Sequence, residues 1–492
     1  MEEMIAQKKI KLWHAALFVV MFAGLLFVPH YLNNDIFFIL NSGRYVIQEG
    51  IPYIEPFTMH QDWQFVMQQW LTCVIFWQIY ANFGAIGLLA FVHVIAAATI
   101  YVYYRLCMML SNKNWYISIA LTTVVGIVIC FLFMSTRPQI FSSLLLLWEV
   151  FFLEKYVAQR QIKYLLFLPL VSVALVNMHA ALWGLSVCVL LAYICAAMKN
   201  FQRNKKELLY LAVSLLAVVI AGFVNPYGSG AMLYGVNSYG ISLINIMVAE
   251  MMPAAITEPF GKFIFAVILL TWMIYLKRGI KLRHVFLCLG MTYLALSANR
   301  SLFLFLILAT FPLAACWQSF KLDFSVNQVT QKQKIFRVVM VSAILLVGGR
   351  TIYQHYTADD NYQENQEPKY PAVDYLLTLA APEDIRLWNS YDSGGYVEFR
   401  GIKAYLDPRA EVFFAVNNGQ DDVFREYTKT IFGMMYYEDV FDKYDINYIL
   451  TKQSEMLFTF LAHDPNYELL YEDQYADNGA TKYRLYHRLT KK

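Results

Sequence analysis

Residues 13–35 read WHAALFVVMFAGLLFVPHYLNND. Their first part is long and apolar enough to cross a bilayer, which takes about 20 such residues. Lys8, Lys9 and Lys11 precede it, as in a secretory signal. The run is long and has no small-x-small cleavage site, so it is read as an uncleaved anchor. It ends in a polar turn, Asn33-Asn34-Asp35, which suits the start of a helix. The next residues, IFFILNSGRYVIQEGIPYIEPFTMHQDWQFVMQQWL (36–71), are too polar for a second span. A helix is predicted through residue 47; Gly50 ends it and Pro52 prevents its return. The stretch 67–80 is short and interrupted by Gln68, Gln69, Thr72 and Gln78. It is read as a helix lying in the membrane interface. An anchor is thus followed by a large polar loop with a carboxylate at its first turn.

Of the 492 residues, 59% are hydrophobic and only 15% are charged. Soluble domains carry about 25% charged residues. A disordered chain and an ordinary soluble enzyme are both excluded. Further spans are expected near 85–104, 115–134, 139–157, 164–178, 180–198, 208–224, 262–276, 284–298, 301–317 and 336–349, giving eleven in all. The basic residues test the topology. With the N-terminus inside, the cytoplasmic segments collect 20 Lys and Arg, and the outer segments before the last span keep only Arg44, Arg137, Lys262 and Arg300. If 67–80 also crossed, 17 of those 20 charges would face outward.

The overall charge of +3 hides two unlike parts. Residues 1–356 hold 25 basic and 12 acidic residues; residues 357–492 hold 14 and 24. The acidic tail is expected outside the membrane. The expected organisation is therefore a membrane domain over 1–356 with its outer loop at 30–84, a linker at 357–369 and an outer α/β domain over 370–492. All seven cysteines precede the tail, so no disulfide framework is expected there. No Cys/His spacing suggests zinc. Within the tail, helices are predicted at 372–379, 422–432, 437–444 and 455–462. Strands are predicted at 386–389, 403–406, 447–450, 467–472 and 482–486. Gly394-Gly395 is read as a turn and lacks the spacing of a nucleotide fingerprint.

This topology sorts the unusual polar residues to one face. The first outer loop carries Asp35, Arg44, Glu49, Glu55, His60 and Asp62. Thr136-Arg137-Pro138-Gln139, Asn177-Met178-His179, Asn225-Pro226-Tyr227-Gly228 and Asn299-Arg300 occupy later outer turns. Charge at membrane depth is costly and usually lines a polar cavity. A lone arginine there suits a phosphate, because its planar donors bind one bidentately. Each residue also has a plainer reading. Asp35 caps a helix, the arginines snorkel to headgroups, His179 packs between helices, and Asn225-Pro-Tyr-Gly stops one. Glu149, beside Trp148 in mid-span, is expected to be a hydrogen-bonded packing residue. Asp407-Pro408-Arg409 is read as a turn with a local ion pair or as a contact to an acceptor.

Together these features resemble the GT-C superfamily of integral-membrane glycosyltransferases, which includes protein mannosyltransferases, oligosaccharyltransferases and the aminoarabinose transferase of lipid A. The matching residues are Asp35, the Gly43-Arg44 helix, the Gly50-Ile51-Pro52 and Glu55-Pro56-Phe57 turn, and Trp70-Leu71. Arg137-Pro138, Asn177-Met-His179, Asn225-Pro-Tyr-Gly228, Asn389-Ser-Tyr-Asp-Ser-Gly-Gly395 and Leu406-Asp-Pro-Arg409 resemble a bacterial branch. The resemblance implies an α-helical polytopic membrane protein in the bacterial plasma membrane. It also implies a sugar donor on a polyprenyl phosphate, membrane lipid as a partner, and a glycan, lipid or protein acceptor; nucleic acid is not implied. Asp35 would act as the base, with Glu55 and Asp62 as further catalytic carboxylates. Arg137, His179 and Arg300 would bind the donor phosphate, and Arg44, Asn177, Asn225, Tyr227 and Arg409 would serve the acceptor or its surroundings.

Relatives hold a divalent metal, Mg or Mn, between two acidic loops. Here Thr136-Arg137-Pro138-Gln139 has no carboxylate, which counts against a metal, and Gln69 stands where an acidic residue or histidine is usual, which points to an inactive protein as an alternative. The alternatives are a flippase or polymerase for lipid-linked glycans, or an inactive binding protein on the same fold. Paired halves with broken mid-membrane helices would favour a transporter. No such pairing is visible in the sequence.

Overall fold

The computed structural model describes residues 17–199, 201–318, 370–472 and 483–489. The expected last span, 336–349, and the expected linker lie outside them. The chain divides into two compact units. The first contains Met1–His30, Leu89–Met232 and Asn245–Ala358; the second contains Tyr31–Leu88, Leu233–Ile244 and Asp359–Lys492.

The first unit is helical. Each expected span among its described residues falls on a helix or pair of helices. Four helices are long and apolar enough to cross a membrane: Trp70–Leu110, Trp115–Phe133, Ala180–Met198 and Pro259–Arg278. The first of these starts in the second unit. Gly84, at φ 62° and ψ −162°, divides it at the boundary between the stretch expected to lie flat and the stretch expected to cross. The stretch 301–317 is broken into Leu302–Ala309 and Leu313–Cys316, with Pro312 at the start of the second helix. Small residues let elements approach closely. A Cβ on Gly24 would lie 2.7 Å from the backbone of Gly126, so the segment Met21–Phe27 packs directly on Trp115–Phe133.

One polar expectation in this unit changes. Arg283, counted in the sequence as a cytoplasmic anchor, is committed to a carboxylate in the core. Its Nε and Nη2 each donate to Glu154 at 2.6 Å, and Tyr193 and His284 complete the group at 2.8 Å each. Glu149 is only 1% exposed, and its carboxyl lies near Ser186 without a hydrogen bond of full geometry.

The second unit combines the first outer loop with the tail. Helix Ile36–Glu49 begins at the Asn-Asn-Asp turn and ends at Gly50, whose φ of 91° suits glycine. A four-stranded sheet has the order β1-β2-β4-β3: β1 Leu387–Asn389, β2 Tyr448–Lys452, β3 Tyr467–Glu472 and β4 Tyr483–Arg488. β1 pairs in parallel with β2, and the other neighbours are antiparallel. Helices Pro371–Leu379, Val423–Ile431, Tyr437–Lys443 and Met456–Leu461 match the expected ones closely. Trp388, Tyr405 and Tyr486 anchor the core.

Three tail expectations are corrected. Gly394-Gly395 opens a short helix, Gly394–Phe399, in place of a turn. A side chain on Gly394 would collide with the carbonyl of Leu406, and one on Gly395 would press on Phe38. The glycines are there for close packing. Residues 403–406 form bridges and no full strand: Ala404 pairs with Leu387 on one side and Thr58 on the other. The outer loop, expected to belong to the membrane domain, folds with the tail. Met59 N–H donates to the Ala404 carbonyl at 3.0 Å, and Gln64 N–H donates to the Asn418 carbonyl at 3.1 Å. The loop thereby satisfies backbone groups that the incomplete tail sheet leaves open.

Candidate functional site

In the second unit, Arg409 is the centre of a buried ion cluster. Its Nε donates to both Asp407 oxygens at 2.9 and 3.0 Å, and Nη2 donates to Glu55 at 3.1 Å and Glu398 at 3.2 Å. The guanidinium also lies over the rings of Phe57 (5.1 Å), Phe65 (5.3 Å) and Phe38 (5.9 Å). Burial pushes the Glu398 carboxyl well above the usual range, and the Asp407 charge adds to the effect. Burial also acts on Asp407, but the Arg409 charge outweighs it and holds that carboxyl low. The two carboxyls are thus pushed in opposite directions.

This cluster accounts for two residues expected elsewhere. The Glu55 carboxyl accepts from the N–H groups of Phe57 (3.1 Å) and Thr58 (2.8 Å), from the Thr58 hydroxyl (2.7 Å) and from Arg409. Its Oε2 holds the turn and its Oε1 holds the tail arginine, which gives Glu55 a structural role. Arg409 engages through Nε and Nη2 while its buried Nη1 makes no hydrogen bond among the described residues, so the Asp-Pro-Arg turn has its local ion pair and reaches across to the loop as well. Asn389 fixes that turn, donating to the Leu406 carbonyl at 2.8 Å and accepting from Tyr405 N–H at 2.9 Å.

The other loop residues differ in setting. Asp35 occupies the N-cap position of Ile36–Glu49, but its side chain makes no capping bond. Its backbone N–H donates to Asn33 Oδ1 at 2.8 Å, so Asn33 shapes the turn. Capping is therefore not what Asp35 does. Asp62 is exposed with φ 59°, and its carbonyl accepts from Gln420 at 3.0 Å. Arg44 donates to Asn41 (2.7 Å) and the Phe399 carbonyl (3.0 Å), and lies over Trp77 and Phe399. It pins the helix to Gly394–Phe399. His60 stacks on Trp63 at 4.2 Å, and its ring nitrogen meets the Tyr405 carbonyl at 2.7 Å. Burial pulls the His60 pKa down to about 4.

The first unit holds the other group. Four short segments between helices bring Arg137, His179, Glu250 and Arg300 into one neighbourhood. Arg137 sits in the turn before helix Gln139–Gln159, closed by Gln139 donating to the Phe133 carbonyl at 2.8 Å. Its Nη1 meets the two Glu250 oxygens at 2.6 and 2.5 Å. Burial pushes the Glu250 carboxyl up, but Arg137, with help from Arg300, holds it below the usual range. The Arg300 charge also acts on His179, whose Nδ1 meets Ser142 Oγ at 2.6 Å. The segment carrying Glu250 is tied to the Arg300 turn: Asn299 N–H donates to the Met252 carbonyl at 2.9 Å. Glu250 was missed in the sequence because a carboxylate in a long loop without a motif carries no spacing signal.

Asn177 and Asn225 shape backbone. Asn177 Nδ2 donates to the Val173 and Val224 carbonyls at 2.8 Å each. Asn225 bonds the Gly222 and Gly228 carbonyls and accepts from Tyr227 N–H at 2.7 Å. The Asn225-Pro-Tyr-Gly segment is thus a helix-ending turn, with Gly228 at φ 55°. Among the described residues, no three His, Cys, Asp or Glu side chains gather as a metal cage.

No family model and no curated protein matches the chain. Solved structures do. The Archaeoglobus fulgidus oligosaccharyltransferase tethered to an acceptor peptide containing the NVT sequon aligns with a TM-score of 0.55 at 12% identity, over 96% of this chain and 74% of that one. Its apo form aligns with a TM-score of 0.52 at 13% identity, over 89% and 69%. Its complex with zinc and sulfate gives 0.51 at 13%, over 95% and 72%.

The chain shares its fold with these oligosaccharyltransferase structures. At this identity the likeness is one of architecture.

Proposed function

We propose that this protein is an integral-membrane glycosyltransferase that moves a sugar from a polyprenyl-phosphate-linked donor to a glycan, lipid or protein acceptor at the outer face of a bacterial plasma membrane. Eleven spans, a cytoplasmic N-terminus and an outer tail belong to this reading. The observation that supports it most is the likeness to an oligosaccharyltransferase over nearly the whole chain. The pairing of Arg137 with Glu250, and the Arg300 charge that acts on both Glu250 and His179, suit the donor phosphate.

In the proposed step, an acceptor hydroxyl oxygen attacks the anomeric carbon and its proton passes to Asp35. The bond from that carbon to the donor phosphate oxygen breaks, and the electron pair leaves with the phosphate. Arg137 and Arg300 stabilise the charge that builds there. Attack from the face opposite the leaving group inverts the anomeric configuration. Glu55 is dropped from the catalytic set because Arg409 and Thr58 occupy its carboxyl. The test is transfer by purified protein from polyprenyl-phosphate sugars, compared with a folded D35N variant. Loss of transfer in D35N supports the assignment, and full transfer removes Asp35 as the base.

A further inference from the structure

We infer that Glu250 is a positioning residue for the donor phosphate: its carboxylate holds Arg137 before the donor arrives and gives way to the phosphate. This rests on the proposed role of Arg137 and Arg300.

The chain contains two contrasting arginine–carboxylate pairs. Arg283 grips Glu154 as a fork, each of two nitrogens taking its own oxygen. That carboxylate is 2% exposed, and Tyr193 and His284 also bond it. Such a pair is built to stay closed. Arg137 instead presents one nitrogen, Nη1, to both oxygens of Glu250, and the two side chains are 21% and 45% exposed. A ligand can reach this pair, and exposed pairs are weak enough to be exchanged.

The backbone under Glu250 is held by bonds separate from the one its side chain makes to Arg137. Asn299 bonds the Ala249 and Met252 carbonyls, and Ala254 N–H donates to the Leu296 carbonyl. The carboxylate can therefore rotate away about its own side-chain bonds with the turn in place. Arg300 also acts electrostatically on Glu250. The Arg300 charge thus adds to the direct contact of Arg137 at one carboxylate. A phosphate ester uses the same planar donors as a carboxylate and carries more oxygens to share between two arginines.

The experiment titrates a short-chain polyprenyl phosphate into the detergent-solubilised full-length protein by calorimetry. E250Q is expected to bind about two- to fivefold more tightly than wild type, the range set by loss of an exposed competing ion pair. E250A is a second variant with the same expectation. In E250Q/R137A the gain disappears. If R137A weakens binding but E250Q and E250A bind no more tightly than wild type, the exchange is overturned and the donor site stands. If R137A and R300A both bind as wild type does, the donor site itself fails and the exchange fails with it.

Discussion

Arg409 Nη2 lies 3.1 Å from Glu55 Oε1, a contact between residues 354 positions apart in the chain. It fastens the outer loop to the tail. Truncating Arg409 would leave the Asp407 carboxylate buried without its cation, a loss on the order of 3–5 kcal/mol. R409A is therefore expected to expose backbone amides of residues 54–65 and 402–409 to hydrogen exchange well before the rest of the chain. Unchanged protection in those segments would contradict the structural role. R409K is expected to fall between, since lysine cannot supply the fork.

Gly394 provides a separate test of the same assembly. Any side chain there meets the Leu406 carbonyl, so G394A is expected to cost about 1–3 kcal/mol through forced backbone displacement. Gly401, at φ 89° with open space around its Cβ position, is the useful comparison. A clash with a neighbour and strain in its own backbone conformation are then distinguishable. The measurement is thermal unfolding of each variant in the same detergent.

Acid should weaken the second unit through His60. Its folded pKa is lowered to about 4, while an unfolded histidine titrates near 6.5. Between these values the unfolded state binds the extra proton, so stability falls as pH drops through that window. The difference corresponds to a loss of about 3 kcal/mol, complete near pH 4. H60Q is expected to flatten the stability curve between pH 6.5 and 4. An unchanged slope in H60Q would assign it to other groups.

On the donor side, R137A and R300A should each raise the KM for the lipid-linked donor by about ten- to a hundredfold, as expected when a charge-assisted contact worth about 1.5–3 kcal/mol is lost. Their kcat should fall as well, because the same arginines stabilise the departing phosphate. S142A, which removes the partner of His179, should have a smaller effect on both.

Local features were legible in the sequence where local chemistry decides the structure. The Asn33-Asn34-Asp35 turn and Gly50 bounded helix Ile36–Glu49, and the helices of the tail followed their apolar spacing. Long-range pairings were not legible. Glu55 looked catalytic because it is an acid in a polar outer loop, and only the fold reveals that Arg409 occupies it. Gly394-Gly395 looked like a turn because glycine permits one; the close approach of Leu406 that demands glycine appears only in three dimensions. Arg283 passed for a membrane anchor because positive charge at a span end usually is one, until Glu154 claimed it. Glu250 had no signal because its meaning comes from Arg137, 113 residues away.

The most direct test is mass spectrometry of envelope glycans and lipid-linked sugars in a strain lacking the gene, complemented with wild type or D35N. The account predicts that one glycan modification disappears and its polyprenyl-linked donor accumulates, with both reversed by wild type and neither by D35N. Unchanged glycans in the deletion strain, or equal restoration by D35N, would contradict it.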